Sequence, residues 1–217
     1  MTPVGEVAAA SRVLAAHGLV DAFGHVSARL DVGGLAITPP VPLGGVRDAD
    51  ALVTVGAVDG DALPDGAPKE AWIHLAIYTR RPDVGGICRA QPPAVAATAA
   101  AGLEILALHG QGAFVGSPVA VHDHAALIRE RAAGVAVADA LGDGDAVVLR
   151  GNGAVTVGRT PGEAAARMVV LEASARLNLA AAAAGTRVAL RSDEHAAWRA
   201  VAPEILGRLW AHLRDGA

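Results

Sequence analysis

The sequence predicts an α/β layered domain whose sheet is mostly antiparallel. Three observations predict it: strand segments that return on themselves across short turns, separate helices between them, and no regular strand–helix–strand winding. The 217 residues suffice for one full core, and no linker, repeat or charge block divides them, so one domain over 1–217 is expected.

Taken in order, residues 5–17 carry apolar positions at helical spacing and stop at Gly18, a favourable residue just past a helix end. HVSARL reads as a strand, DVGG as a turn and LAITP as the returning strand, together a hairpin. ALVTVGAVDGDAL reads as a further strand with a DG turn. From Lys69 to Arg81 a helix is predicted, with Trp72, Leu75, Ala76 and Tyr78 or Thr79 toward one side, ended by Pro82. VGGIC is a short strand, and Pro92-Pro93 opens the helix AVAATAAAG. The stretch 103–120 is weakly patterned. A helix near 123–133 follows, with Asp123 as its N-cap, then VAVADAL, then a strand at 145–150 that pairs with AVTVG across a GNG turn. Thr160-Pro161-Gly162-Glu163 is a capping box with proline at the first helical position. It launches a long helix that stops at Gly185. A last helical stretch over 193–213 is expected to break near Pro203.

Composition excludes several function classes. Hydrophobic residues make up 53% and charged residues 18%, so the chain folds. Aromatics are only 3%, and the formal charge is −4 with a pI near 6.0, which leaves no basic footprint for nucleic acid. The single cysteine, Cys88, forms no intrachain disulfide and reads as a small buried strand residue, which fits a reducing cytoplasm. MTPVGEVAAASRVL lacks the pattern of a signal peptide, and no apolar run has the length of a membrane span.

Four stretches in order carry a family resemblance: SRVLAAHGLVDAFGHVSARL, ITP, PKEAWIHLAIYTRRPDVGGICRAQPP and VVLRGNGAVTVGRTPGEAAARMVVLEASARL. Over roughly residues 5–185 the chain resembles the class II aldolase/adducin family, leaving 186–217 as a C-terminal helical extension. The resemblance implies a three-layer α/β/α fold around a central, mostly antiparallel sheet, and a homotetramer with sites at subunit boundaries. In catalytic members it implies a divalent metal, commonly zinc, held by an H-x-H pair and a third histidine. The metal stabilises an enediolate as a carbon–carbon bond breaks.

In this chain the H-x-H pair falls on Arg89 and Gln91, and the third histidine on Asn152. Arginine has no lone pair for a metal and repels one. Gln91 and Asn152 offer only hard carbonyl oxygens. No metal and no other cofactor is therefore expected. Glu70 stands where the family keeps an acidic proton-transfer group; its alternative is a first-turn glutamate favoured by the helix dipole. Pro40-Val41 and Ala67-Pro68-Lys69 replace the family's phosphate-binding elements, which argues against a sugar phosphate. The PxE…IH form with His74 is closer to the branch with decarboxylases of small aromatic or hydroxylated acids.

Arg89 then takes the metal's electrostatic task by clamping a carboxylate or stabilising an oxyanion; a salt bridge at a subunit boundary is the alternative. Glu70, His25 and His74 are the candidate catalytic residues, and Arg89, Gln91, Asn152 and His109 the candidate substrate-binding residues. His25 could instead make a turn hydrogen bond. His74, at i+4 from Glu70, can meet it on one helix face or serve structurally. His122-Asp123-His124, with His109, is the only other histidine set that suggests a metal, and a helix there would turn the two rings apart. His17, His195 and His212 read as surface or helix-end residues. The expected function is a metal-free lyase acting on a small carbonyl or carboxylic acid, in a cytoplasmic homotetramer with no nucleic-acid or membrane partner. The competing expectation is a non-catalytic oligomeric scaffold like the adducin head.

Overall fold

Residue alternation sets the sheet. The computed structural model describes residues 2–31, 33–48, 51–56 and 62–217. Among them, β1 (His25–Arg29), β2 (Leu35–Ile37), β3 (Val53–Val55), β4 (Gly86–Ala90), β5 (Ala120–His122), β6 (Ala146–Leu149) and β7 (Gly153–Gly158) form one sheet in the order β3-β2-β1-β4-β7-β6-β5. Each pairing is antiparallel except β5 with β6. Val26, Ala28, Cys88, Ala90 and Ala154 point to one face; Ile37, Ile87, Val147, Val155 and Val157 point to the other. Both faces are apolar because both are covered.

Helices α1 (Pro3–Ala16), α3 (Pro93–Ala100), α5 (Pro161–Ala183) and α6 (Ser192–Asp215) cover the first face, and α2 (Ala71–Arg80) and α4 (Arg131–Leu141) the second. The result is the three-layer α/β/α arrangement. Small residues bring α5 close to the sheet. Ala164, Ala165 and Ala166 are fully buried, and Thr156 Oγ1 donates to the Ala164 carbonyl at 2.7 Å. A Cβ on Gly86 would sit 2.1 Å from Pro161 N, so glycine is what lets β4 pass beneath the start of α5. Only half of the expected capping box forms there. Thr160 Oγ1 accepts from Glu163 N at 3.2 Å, while the Glu163 carboxylate engages Arg159 and Arg167 instead.

Several expectations are corrected. The helix expected near 123–133 is absent: 123–130 is irregular, and α4 begins at Arg131 and absorbs VAVADAL. Asp123 pairs with Arg150 and caps no helix. α6 runs unbroken through Pro203 for 24 residues. Proline inside a helix costs about 3 kcal/mol, and burial of Leu206, Trp210 and Leu213 offsets it. On α2 the deepest residues are Ala71, Ile73, His74 and Ile77, all fully buried, rather than the stripe through Leu75 and Ala76. The strand expected over 51–63 is limited to Val53–Val55, and its DG turn lies outside the described residues. β4 extends past Cys88 to carry Arg89 and Ala90, and the Cys88 thiol is fully buried, its pKa pushed up by that burial. Among the described residues no helix is long and apolar enough to cross a membrane.

Candidate active site

Strand register builds the floor of the site. His25 on β1 lies directly across from Arg89 on β4, and Arg89 across from Val155 on β7, so both polar side chains face the α2 layer. Glu70 immediately precedes α2 and reaches down to them. Asn152 comes from the β6–β7 turn, between Gly151 and Gly153, both at positive φ. A Cβ on Gly153 would lie 2.1 Å from the Ala90 carbonyl, so only glycine lets this turn press against β4 and hold Asn152 beside Arg89.

The three side chains close a triangle. Arg89 Nε is 3.0 Å from Glu70 Oε2, Asn152 Nδ2 donates to Glu70 Oε1 at 2.8 Å, and Arg89 Nη2 donates to Asn152 Oδ1. His25 Nε2 stands 3.7 Å from Glu70 Oε2. The Arg89 side chain is 3% exposed and that of Glu70 14%. Burial lowers the Arg89 pKa and Glu70 opposes the shift; a guanidinium so paired stays cationic. Burial, then the neighbouring His74 and Arg89, hold the His25 pKa well below 6.5, so its ring is neutral.

Above the triangle opens a cavity of about 460 Å³. Pro40, Pro68 and Gln91 line its walls. Lys69 and Arg129 are exposed in its lining, with Phe23 and Leu127, which are 66% and 62% exposed. The structure thus brings together His25, Glu70, Arg89, Gln91 and Asn152. It does not bring His74 or His109 to the cavity, although the His74 ring meets that of His25 from behind. His74 is wholly buried behind the floor, hydrogen-bonded to Ser27 rather than to Glu70. His109 Nε2 pairs with Ser174 Oγ on α5, on the opposite face of the sheet. Phe23, Leu127 and Arg129 were not found from sequence. The last two fall in the segment read as helix, so their place at a cavity was hidden by that assignment.

The donor set does not fit a divalent cation. At the position implied for the metal, a guanidinium fills the space between Glu70 and Asn152, and the Asn152 amide spends its oxygen on that guanidinium. His122 and His124 sit at the end of β5, their ring centres 6.3 Å apart, and among the described residues no group of three histidines, cysteines or carboxylates could hold a metal. His17 caps the end of α1, and His195 and His212 lie on α6. A second cavity, about 410 Å³, opens beside α2 among Arg29, Trp72, Tyr78 and Arg80; no carboxylate or histidine lines it among the described residues.

Comparison with known proteins shows the family. A 3,4-dihydroxyphthalate decarboxylase from Terrabacter sp. (strain DBF63) is 32% identical across 95% of this chain and 93% of the relative. Another protein of that name, from Arthrobacter keyseri, is 29% identical across 82% of this chain and 78% of its own. An L-fuculose 1-phosphate aldolase from Glaciozyma antarctica PI12 superposes with a TM-score of 0.78 at 22% identity, covering 97% of this chain and 87% of that one, and shares the fold. Residues 5–179 match the model of the Class II Aldolase and Adducin N-terminal domain. The chain belongs to the class II aldolase/adducin family.

Proposed function

We propose that the protein is a metal-independent lyase that decarboxylates a small dihydroxylated aromatic dicarboxylic acid. The observation that carries this reading is the buried Arg89 guanidinium on the cavity floor, with two further cations, Lys69 and Arg129, in the same lining. A ring bearing two carboxylates suits that distribution: one anion meets Arg89, the other Lys69 and Arg129. The 3,4-dihydroxyphthalate decarboxylases at 29–32% identity support the same substrate class.

The residues suit the chemistry. Losing CO2 directly from an aromatic ring leaves an unstabilised carbanion, so the ring carbon must be protonated first. A hydroxyl ortho to the departing carboxylate gives its proton to Glu70. Glu70 returns that proton to the carbon bearing the carboxylate, forming a cyclohexadienone. The carbon–carbon bond then breaks, CO2 leaves, and the bonding pair restores the ring as a phenolate, which takes a proton from solvent. Arg89 stabilises the oxygen whose charge rises and falls, the electrostatic task that the family resemblance implies for a metal. The proline walls at Pro40 and Pro68 favour a flat ring over a phosphate. A homotetramer in a reducing cytoplasm completes the proposal, and light scattering on the purified protein reads the assembly.

The test uses chelator-treated protein and 3,4-dihydroxyphthalate, following CO2 and the monocarboxylic product together. Equal release of both, unchanged by chelator, is expected. Activity that vanishes on chelation and returns with zinc overturns metal independence. Failure to release CO2 from any dihydroxylated aromatic acid overturns the decarboxylase and favours the non-catalytic scaffold.

A further inference from the structure

Behind the cavity floor lies a buried polar chain that is not part of the candidate site's lining. Tyr78 OH is 2.9 Å from Ser27 Oγ, and Ser27 Oγ is 2.7 Å from His74 Nδ1. All three residues are buried, His74 and Ser27 completely. The other nitrogen of His74, Nε2, is buried without a hydrogen-bond partner, and so is Nδ1 of His25. The two rings meet edge to face, their centres 5.7 Å apart. An unpaired buried nitrogen costs about 1–3 kcal/mol, so two on neighbouring rings point to a mutual arrangement. That separation holds the two nitrogens beyond a direct hydrogen bond of ordinary length, so one bridging water is what would satisfy both.

We propose that Tyr78, Ser27 and His74 are positioning residues that fix the tautomer of His25, so that its Nε2 carries the proton and faces Glu70 and the cavity. The polarity follows from both ends. A phenol is a better donor and a poorer acceptor than an alkyl hydroxyl, so Tyr78 donates to Ser27 and Ser27 donates to His74 Nδ1. Burial, aided by Arg89, holds the His74 pKa to about 3, so the ring is neutral and its one proton sits on Nε2. Through one water that N–H would reach His25 Nδ1, which is left to accept. The His25 ring is neutral as well, which leaves its proton on Nε2, 3.7 Å from a Glu70 oxygen. Glu70 as a carboxylate only accepts. The phenol at one end and the carboxylate at the other therefore demand the same direction of donation.

The consequence for His25 is specific. It serves as an N–H donor to an oxygen in the cavity and not as a base, which leaves proton abstraction to Glu70. The inference concerns the protein without substrate and stands whether or not the proposed decarboxylation is correct.

The experiment is long-range proton–nitrogen correlation NMR of the histidine rings in full-length, nitrogen-15-labelled protein near neutral pH. Both His25 and His74 are expected as Nε2–H tautomers. A proton on Nδ1 of either ring, or a doubly protonated ring, overturns the proposal. Coupling is read in Ser27→Ala, where Ser27 makes no hydrogen bond to His25. There His74 Nε2–H is no longer held as a donor, and the His25 Nδ1 resonance is expected to move toward that of a free acceptor. A His25 resonance that stays fixed while that of His74 moves overturns the coupling. Should Ser27→Ala fail to fold, Tyr78→Phe preserves the shape, removes the terminal donor, and is judged by the same shift.

Discussion

Arg89 and Glu70 form a buried ion pair, Nε to Oε2 at 3.0 Å, and Asn152 hydrogen-bonds to both members. Solvent screens such a pair little, so each charge depends on the other. Deleting one leaves its partner buried alone. Arg89→Met is expected to cost about 3–5 kcal/mol of stability, and Arg89→Met combined with Glu70→Met to recover most of it. Urea denaturation of the single and double variants checks this. A single variant as stable as the parent would contradict the buried pairing.

Glu70→Gln separates structure from chemistry. The amide keeps one accepting oxygen for Asn152 but no charge for Arg89, so the urea midpoint should fall, and turnover is compared on protein that circular dichroism shows to be folded. Turnover of 3,4-dihydroxyphthalate should fall by about 10²–10⁴, the usual contribution of a positioned acid–base group. Unchanged turnover would remove Glu70 from the mechanism.

Acid should destabilise the fold in a defined window. His74 titrates near 3 when folded against 6.5 for an unperturbed ring, and His25 is likewise depressed. A depressed histidine binds its proton more readily in the unfolded chain. Its contribution is therefore complete above about 6.5 and is lost as pH falls below that value, at about 1.4 kcal/mol per pH unit for each ring. Urea midpoints should hold from pH 7.5 to about 6.5 and then fall steadily down to about pH 5. A flat profile would mean that the two rings are not buried in the neutral form.

Placing imidazoles on the cavity floor is the control for metal. Elemental analysis of untagged protein incubated with zinc should find the parent empty. The Arg89→His, Gln91→His, Asn152→His triple variant should hold about one equivalent, the count of a single three-histidine site. Zinc in the parent would redirect attention to His122 and His124.

The mouth cations should govern affinity rather than rate. Lys69→Met and Arg129→Met each remove an exposed charge, worth about 0.2–1 kcal/mol. KM for the dicarboxylate should rise roughly two- to five-fold with kcat unchanged. A drop in kcat instead would place them at the reacting carboxylate.

Much of this arrangement was legible in the sequence. The first hairpin, the GNG turn and the Thr160–Pro161 start of α5 rest on local chemistry, and they form as expected. The positions where the family resemblance implies histidines carry Arg89, Gln91 and Asn152, which do share a cavity. What failed depends on distant contacts. ALIRERAAG has helical spacing, yet burial of Ile128 and the lining contacts of Leu127 and Arg129 hold the chain irregular until Arg131. Pro203 is a strong local break signal, overridden by the apolar side of α6 packing on α5 and α1. Glu70 and His74 share helical spacing, but Glu70 sits just before the helix and turns to β4, while His74 turns to β1.

The strand order has a further consequence, for synthesis. The central strand β4 lies between β1 and β7, pairing Arg89 with His25 on one side and with Val155 on the other. A ribosome releases β4 well before β7, so one edge of GICRA, apolar but for Arg89, waits unpaired for more than sixty residues of further chain. Such non-local closure slows folding and exposes a sticky edge meanwhile. The Asn152 corner of the floor arrives only with that edge's partner, so a chain stalled before the GNG turn has neither a finished sheet nor a complete site.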